Sequence, residues 1–257
     1  MYRNILNVRS WCVSAAFLLL APGVMQAADR NPKKMRVTTA AKRAVHTSNA
    51  NSAAARLIAI EANTLYDEIN LEDIGLSRKA FEYAFKGYKY LMAHHSLNRT
   101  NVLSICDFSQ SSRNKRLYVL DMEQKTVLIN TYVAHGHNSG SEFANSFSNS
   151  PSSHKSSLGF YITEQTYFGD HGNSLKIRGL EKGFNDRAGK RDIVVHGSEY
   201  VGEDYLRWNA CSGRSYGCPA VPAAETDKII EAIKDGSCLF IYHPTKKYIS
   251  RSKILNG

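Results

Sequence analysis

The spacing of hydrophobic positions changes character along this chain. Over residues 54–70 the apolar side chains Leu57, Ile58, Ile60, Leu65, Tyr66 and Ile69 recur at roughly helical intervals. Asp67, Glu68, Glu72 and Asp73 then form an acidic patch of the kind that stays solvated. Gly75 interrupts the chain, and Ser77 is placed to cap a second helix over 78–94. Its stripe of Phe81, Ala84, Phe85, Tyr88, Leu91 and Met92 reads as a core face, with an aromatic ligand groove as the alternative. From Val102 the pattern becomes strand-like, over 102–108, 116–121 and 126–133, with polar turns between. The third run delivers Ala134, His135, Gly136 and His137, and a polar stretch follows over 138–157. So many Ser and Asn residues cannot build a core, so this reads as a functional loop. Short strands are expected at 160–163, 175–177 and 193–195, a helix at 223–234 and a closing strand at 238–243. Many short strands with few helices predict a mainly β (α+β) protein: a helical part over 54–97, then a strand-rich domain over 98–257. There are no internal repeats.

The N-terminus has a different pattern. Arg3 and Arg9 precede an apolar run over 11–20, which ends near the small pair Ala27-Ala28. That predicts a secretory signal peptide over 1–28, with Met25 an imperfect residue before the cut. The run is short for a bilayer span, though an uncleaved anchor is the alternative. Cys12 stands at its start, unlike a lipid-modified cysteine. Residues 29–53, basic and poor in large apolar groups, read as a flexible leader. The net charge of +10 suits an anionic wall polymer or lipid surface, with at most peripheral membrane contact. Export argues against nucleic acid as a partner.

Candidate chemistry centres on residues 192–222. Ile193, Val194 and Val195 form a buried-looking strand that delivers His196, Gly197 and Ser198, and the segment ends with Ser215, Tyr216, Gly217 and Cys218. A thiol becomes a competent nucleophile when a neighbouring base or positive field removes its proton. Cys218 therefore reads as nucleophile and His196 as its base, with oxyanion donors among the N–H groups of the turn at Tyr216, Gly217 and Cys218. Ser215 either orients the pair or shapes the turn.

Beyond Cys12, the cysteines are Cys106, Cys211, Cys218 and Cys238. In an oxidising compartment Cys211 and Cys218 can bridge, which would block the nucleophile. A Cys106–Cys238 bridge would leave it untouched.

The sequence H-G followed by S-x-G-C resembles the catalytic signature of the YkuD-type L,D-transpeptidases. His135-Gly136, the run 152–161 and the segment 213–220 extend this to the divergent murein L,D-transpeptidase catalytic domain family, over roughly 76–242. The helix sequence L-S-x-x-A-F at Leu76–Phe81 also resembles that family. The resemblance implies a YkuD-like β-sandwich catalytic domain preceded by two N-terminal helices, with no cofactor. It implies attack of Cys218 on a peptidoglycan stem peptide, release of D-alanine and a 3→3 cross-link; the predicted signal peptide puts this in the periplasm or cell-wall space. Water as acceptor would make the same site an L,D-carboxypeptidase. The chain departs from the commoner pattern at Tyr216, where a histidine is usual, and at Ala220, where arginine or asparagine is usual. Arg214 is then a candidate for the substrate carboxylate, or else part of a structural salt bridge, and His135 and Gly197 are candidate substrate contacts.

Two rival classes remain. His135, His137, His154, His171, His196 and Cys218 are possible zinc ligands, although no H-E-x-x-H or C-x-x-C is present; the preferred reading holds no metal. An exported, non-catalytic wall-binding module is the other. Oligomeric state is unknown from the sequence.

Overall fold

The structure, a computed structural model, describes residues 39–257, with side chains from residue 53 onward. The expected signal peptide, Cys12 and the start of the leader lie outside the described residues. Helix α1 (Thr39–Glu68) begins well upstream of residue 54, so much of the expected flexible leader is helical. Its alanines, the strongest helix formers, explain why apolar content was a poor guide there. Among the described side chains of α1, Ala62, Leu65 and Tyr66 are buried, as is Ile69 just beyond it, whereas Leu57 and Ile60 are exposed.

Helix α2 (Arg78–Ala93) is capped by the Ser77 side chain, which accepts from the Ala80 N–H at 3.3 Å. Its face of Phe81, Ala84, Phe85, Tyr88 and Leu91 is buried core, not a ligand groove. Gly87, costly in a helix interior by about 1 kcal/mol relative to alanine, is needed because the Phe160 ring occupies the space a Cβ would take.

The strands are β1 (Val102–Asp107), β2 (Leu117–Asp121), β3 (Thr126–Thr131), β4 (Gly159–Gly169), β5 (Gly172–Gly179) and β6 (Val194–Ser198). After a short α3 (Glu203–Leu206) come β7 (Ala220–Pro222), α4 (Thr226–Ile233), β8 (Cys238–Tyr242), α5 (Lys246–Arg251) and α6 (Lys253–Asn256). They form one sheet in the order β3-β2-β1-β8-β4-β5-β6-β7. The pairs β1–β8 and β6–β7 are parallel and the others antiparallel. The fold is thus mostly β with two leading helices, as the pattern predicts.

The two edges of this sheet meet. Just beyond β3, the Ala134 N–H donates to the Ala220 carbonyl of β7 at 2.8 Å, and Gly136 bridges to Ser215. The sheet therefore curls until the ends of its strand order touch, and the candidate residues cluster along that junction. A core of Phe160, Phe240, Leu239, Ile241, Ile229 and Ile233 fills the interior.

Candidate active site

Cys218 is held at the approach to β7 by a turn that its own neighbours build. The Ser215 hydroxyl accepts from the Gly217 N–H at 3.1 Å and donates to the Cys218 carbonyl at 2.6 Å. Gly217 has φ +127°, a left-handed value that glycine tolerates and other residues resist. Ser215 therefore shapes the turn and makes no bond to His196. The Gly217 N–H is occupied by Ser215, which removes it from the expected oxyanion donors. Among the described residues the N–H groups of Tyr216 and Cys218 have no partner.

The thiol is half-buried, over the start of the neighbouring strand. Sγ donates to the Asp192 carbonyl at 3.6 Å and accepts from the Val194 N–H at 3.5 Å. Burial pushes the thiol pKa up, while the Val194 N–H and the nearby Arg191 cation oppose that rise and Asp192 adds to it. Burial thus favours the protonated thiol.

His196 lies on β6, in register with Ala220 of β7. Extending this parallel register back two residues places Cys218 opposite Val194, as the Val194–Sγ contact shows. Imidazole and thiol are thereby brought to adjacent strands about two residues apart, roughly 7 Å along the strand, with no direct hydrogen bond between them. His196 is buried, with Nδ1 2.9 Å from the Gly197 carbonyl. Burial lowers its pKa, the Gly197 bond opposes this, and the charge of His171 adds to it. The His171 ring stacks on His196 at 4.3 Å between centroids.

The remaining candidates separate. His135 is fully buried. The buried Arg116 guanidinium donates to its Nδ1 at 2.8 Å, and Nε2 faces the Gly140 carbonyl at 3.4 Å. Burial first, then Arg116, lower its pKa to about 3. Both ring nitrogens are spent inside the protein, so the expected substrate contact is corrected to a structural one. His135 and His137 do not pair as metal ligands either, because His135 is buried and His137 exposed. Among the described residues no three His, Cys, Asp or Glu side chains converge as a metal site requires.

Arg214 is exposed and donates to the Gly140 carbonyl at 3.2 Å; among the described residues it has no carboxylate partner, so the salt-bridge alternative is not what the structure has. Tyr216 is 73% exposed and its ring stacks on His154 at 4.3 Å. Gly197 supplies a carbonyl to His196, and the Thr226 side chain lies where its Cβ would stand. Its role in the structure is close packing, and no side chain is there to touch a substrate.

Cys106, Cys211, Cys218 and Cys238 are all free, so neither expected bridge is present. Cys238 is in register with Leu103 on β1, three residues from Cys106. An odd offset puts the two side chains on opposite faces of the sheet, where no disulfide can form.

Sequence reasoning missed Arg191. Its guanidinium donates to the carbonyls of Ser148 at 2.9 Å and Lys155 at 2.6 Å, and to the hydroxyls of Ser153 and Ser157, both at 3.3 Å. The Ser156 hydroxyl joins the same junction, accepting from Gly136 N–H at 3.0 Å and donating to the Gly217 carbonyl at 3.4 Å. The polar stretch over 138–157 therefore packs against the Cys218 turn.

A family model for the L,D-transpeptidase catalytic domain matches residues 72–242, more than half of the chain. The match covers α2, the whole sheet and the His196–Cys218 region. The chain belongs to the L,D-transpeptidase catalytic domain family. No curated protein sequence matches it. Among solved structures it is similar to an L,D-transpeptidase from Mycobacterium smegmatis, at 10% identity over 56% of this chain and 59% of that one, TM-score 0.34. It is also similar to an L,D-transpeptidase from Xylanimonas cellulosilytica, at 16% identity over 55% and 60%, TM-score 0.31. A third is the helical cell shape determining protein of Campylobacter jejuni, at 12% identity over 62% and 56%, TM-score 0.36. The alignments thus span a little under two thirds of each relative's length.

Proposed function

We propose that this chain is an exported cysteine acyltransferase acting on peptidoglycan stem peptides, with Cys218 as nucleophile and His196 as base. The observation that carries the reading is the placement of a half-buried thiol beside the strand that bears an imidazole with its Nδ1 committed to Gly197. Rotation about χ1 between staggered wells frees Sγ from the Asp192 carbonyl to approach the His196 ring. Nε2 of His196 then takes the thiol proton, and the thiolate adds to the peptide carbonyl that precedes the terminal D-alanine. The unused N–H groups of Tyr216 and Cys218 are the donors left to hold the oxyanion. Collapse of the tetrahedral adduct breaks the C–N bond, the D-alanine amine leaves with the proton from the imidazolium, and a thioester remains. Attack by the side-chain amine of a second stem forms the 3→3 amide and returns the thiolate. Attack by water would release a tripeptide. Arg214, exposed near the turn, supplies a cation for a stem carboxylate.

The test is incubation of the protein, beside Cys218→Ala, with purified disaccharide-tetrapeptide and mass analysis of the products. Dimers lacking one D-alanine, formed only when Cys218 is present, support the transferase. Cysteine-dependent tripeptide alone makes it a carboxypeptidase. Turnover that survives Cys218→Ala overturns the mechanism, and a folded protein that binds sacculi without any product identifies a wall-binding module.

A further inference from the structure

Arg191 has an environment that the proposed chemistry does not yet use. It is a half-buried cation with no carboxylate within ion-pair distance among the described residues. Its four bonds go instead to Ser148, Ser153, Lys155 and Ser157, all neutral acceptors on one polar segment. The same Nη2 that holds Lys155 also faces the turn that bears Cys218: a Cβ on Gly217 would stand 3.0 Å from it and 2.8 Å from the Lys155 carbonyl. One planar donor fork therefore does two things at once. It ties Ser148, Ser153, Lys155 and Ser157 together, beside the anchors that Asn149 makes to Asp186 and Arg187, and it leaves its positive charge uncompensated beside a thiol.

The charges around Cys218 identify the group that favours its ionised form. Asp192 disfavours the thiolate. Tyr200, itself made harder to ionise by burial and by Cys218, brings no positive charge. Burial disfavours the charged form of His196, His171 stacks behind it, and His154 is stacked on Tyr216. The Lys155 ammonium points to the Ser146 hydroxyl at 2.7 Å. Arg191 is the one of these groups with a permanent charge directed at the turn.

We propose that Arg191 is a positioning residue that locks residues 148–157 against the Cys218 turn and holds the thiolate once His196 has taken its proton. This rests on Cys218 being the nucleophile, and the test separates the two ideas because it reads the thiol without turnover. The full chain and its Arg191→Met and Arg191→Lys variants are alkylated with iodoacetamide across pH, with modification at Cys218 followed by peptide mass. Loss of a nearby opposite charge raises a thiol's ionisation midpoint, by about one pH unit where the charge is close. Arg191→Met is expected to raise the Cys218 midpoint by that amount, with about tenfold slower alkylation at neutral pH. Arg191→Lys keeps the charge but not the fork. It is expected to keep a midpoint near wild type while losing transfer activity and opening residues 148–157 to protease. An unchanged midpoint in Arg191→Met overturns the electrostatic role. If that variant does not fold, Arg191→Lys still decides: wild-type transfer and wild-type protease resistance overturn the staple. Activity surviving in Cys218→Ala would instead strike the nucleophile assignment, whatever the alkylation shows.

Discussion

Nδ1 of His196 lies 2.9 Å from the carbonyl oxygen of Gly197, the next residue in its own chain. A carbonyl only accepts, so Nδ1 carries the proton and Nε2 keeps the lone pair. Many catalytic histidines are oriented by a separate acidic residue. Here the backbone does the same work, and the absence of a Cβ on Gly197 lets α4 pack close through Thr226. The ring is fixed in one tautomer without any added negative charge, and its pKa falls instead of rising.

Replacing that ring has a definite consequence for rate. General bases contribute about 10²- to 10⁴-fold, so His196→Ala should lose transfer activity by that factor at pH 7. On the proposed mechanism the neutral ring is the active form. Because the folded pKa is depressed, activity should persist as pH falls through about 6.5 and disappear only below it. A pH–rate profile on disaccharide-tetrapeptide checks both; wild-type turnover by His196→Ala removes the base from the mechanism.

Gly217→Ala tests the turn. At φ +127° a Cβ is strained, and it would press on the Lys155 carbonyl and the Arg191 guanidinium. Strain of this kind costs about 1–3 kcal/mol, and the backbone relieves it by moving the thiol. The variant should unfold a little earlier in urea yet lose most of its cysteine-dependent product. Full activity would mean that the turn geometry does not matter to the chemistry.

Much of this was legible in the sequence because burial and pattern coincide. The strands β1, β2 and β8 are almost continuously buried and read as apolar runs. The outer half of β4 is exposed, so its residues carried no strand signature, and β7 has only three residues. The helices α5 and α6 are each shorter than two turns, lie beyond the last strand and also escaped notice. The glycines beside His196 and Cys218 marked the segments that bear them. His135 shows the limit of such marks, since a histidine at a strand end looks alike whether it faces substrate or Arg116. Arg191 had no local signal, because its bonds reach back to residues 148–157 and exist only once the chain is folded.

The thiols give a separate check. Cys106 is fully buried and its pKa is pushed up to about 12, and burial pushes Cys238 higher still. In the native protein these two should resist alkylation at pH 8, while Cys218 and Cys211, both partly exposed, react. In denaturant without reductant all of them should react. A missing pair of thiols in denaturant would reveal a bridge, and one joining Cys211 to Cys218 would mean a blocked nucleophile.

A fully buried ionic group predicts how stability responds to acid. Arg116 spends its donors on the carbonyls of Val133 and Gln110 and on Nδ1 of His135. That last bond requires a neutral histidine, and the folded pKa of His135 is about 3, against an ordinary value near 6.5 in the unfolded chain. Between those values the unfolded state takes up a proton that the folded state refuses. The stabilisation is complete above pH 6.5 and is lost progressively as pH falls toward 3, on the order of a few kcal/mol in all. His196 and His243, both lowered by burial, add to the slope with the same sign. His135→Gln keeps an acceptor for Arg116 and a donor for Gly140 but cannot titrate. Urea unfolding at a series of pH values between 6.5 and 4.5, above most carboxylate titration, should therefore show a flatter slope for His135→Gln than for wild type. Arg116→Met, which strands buried acceptors, should lose roughly 3 kcal/mol at pH 7 and let the His135 pKa rise. Equal slopes in wild type and His135→Gln would show that His135 takes a proton as readily in the folded protein as in the unfolded chain.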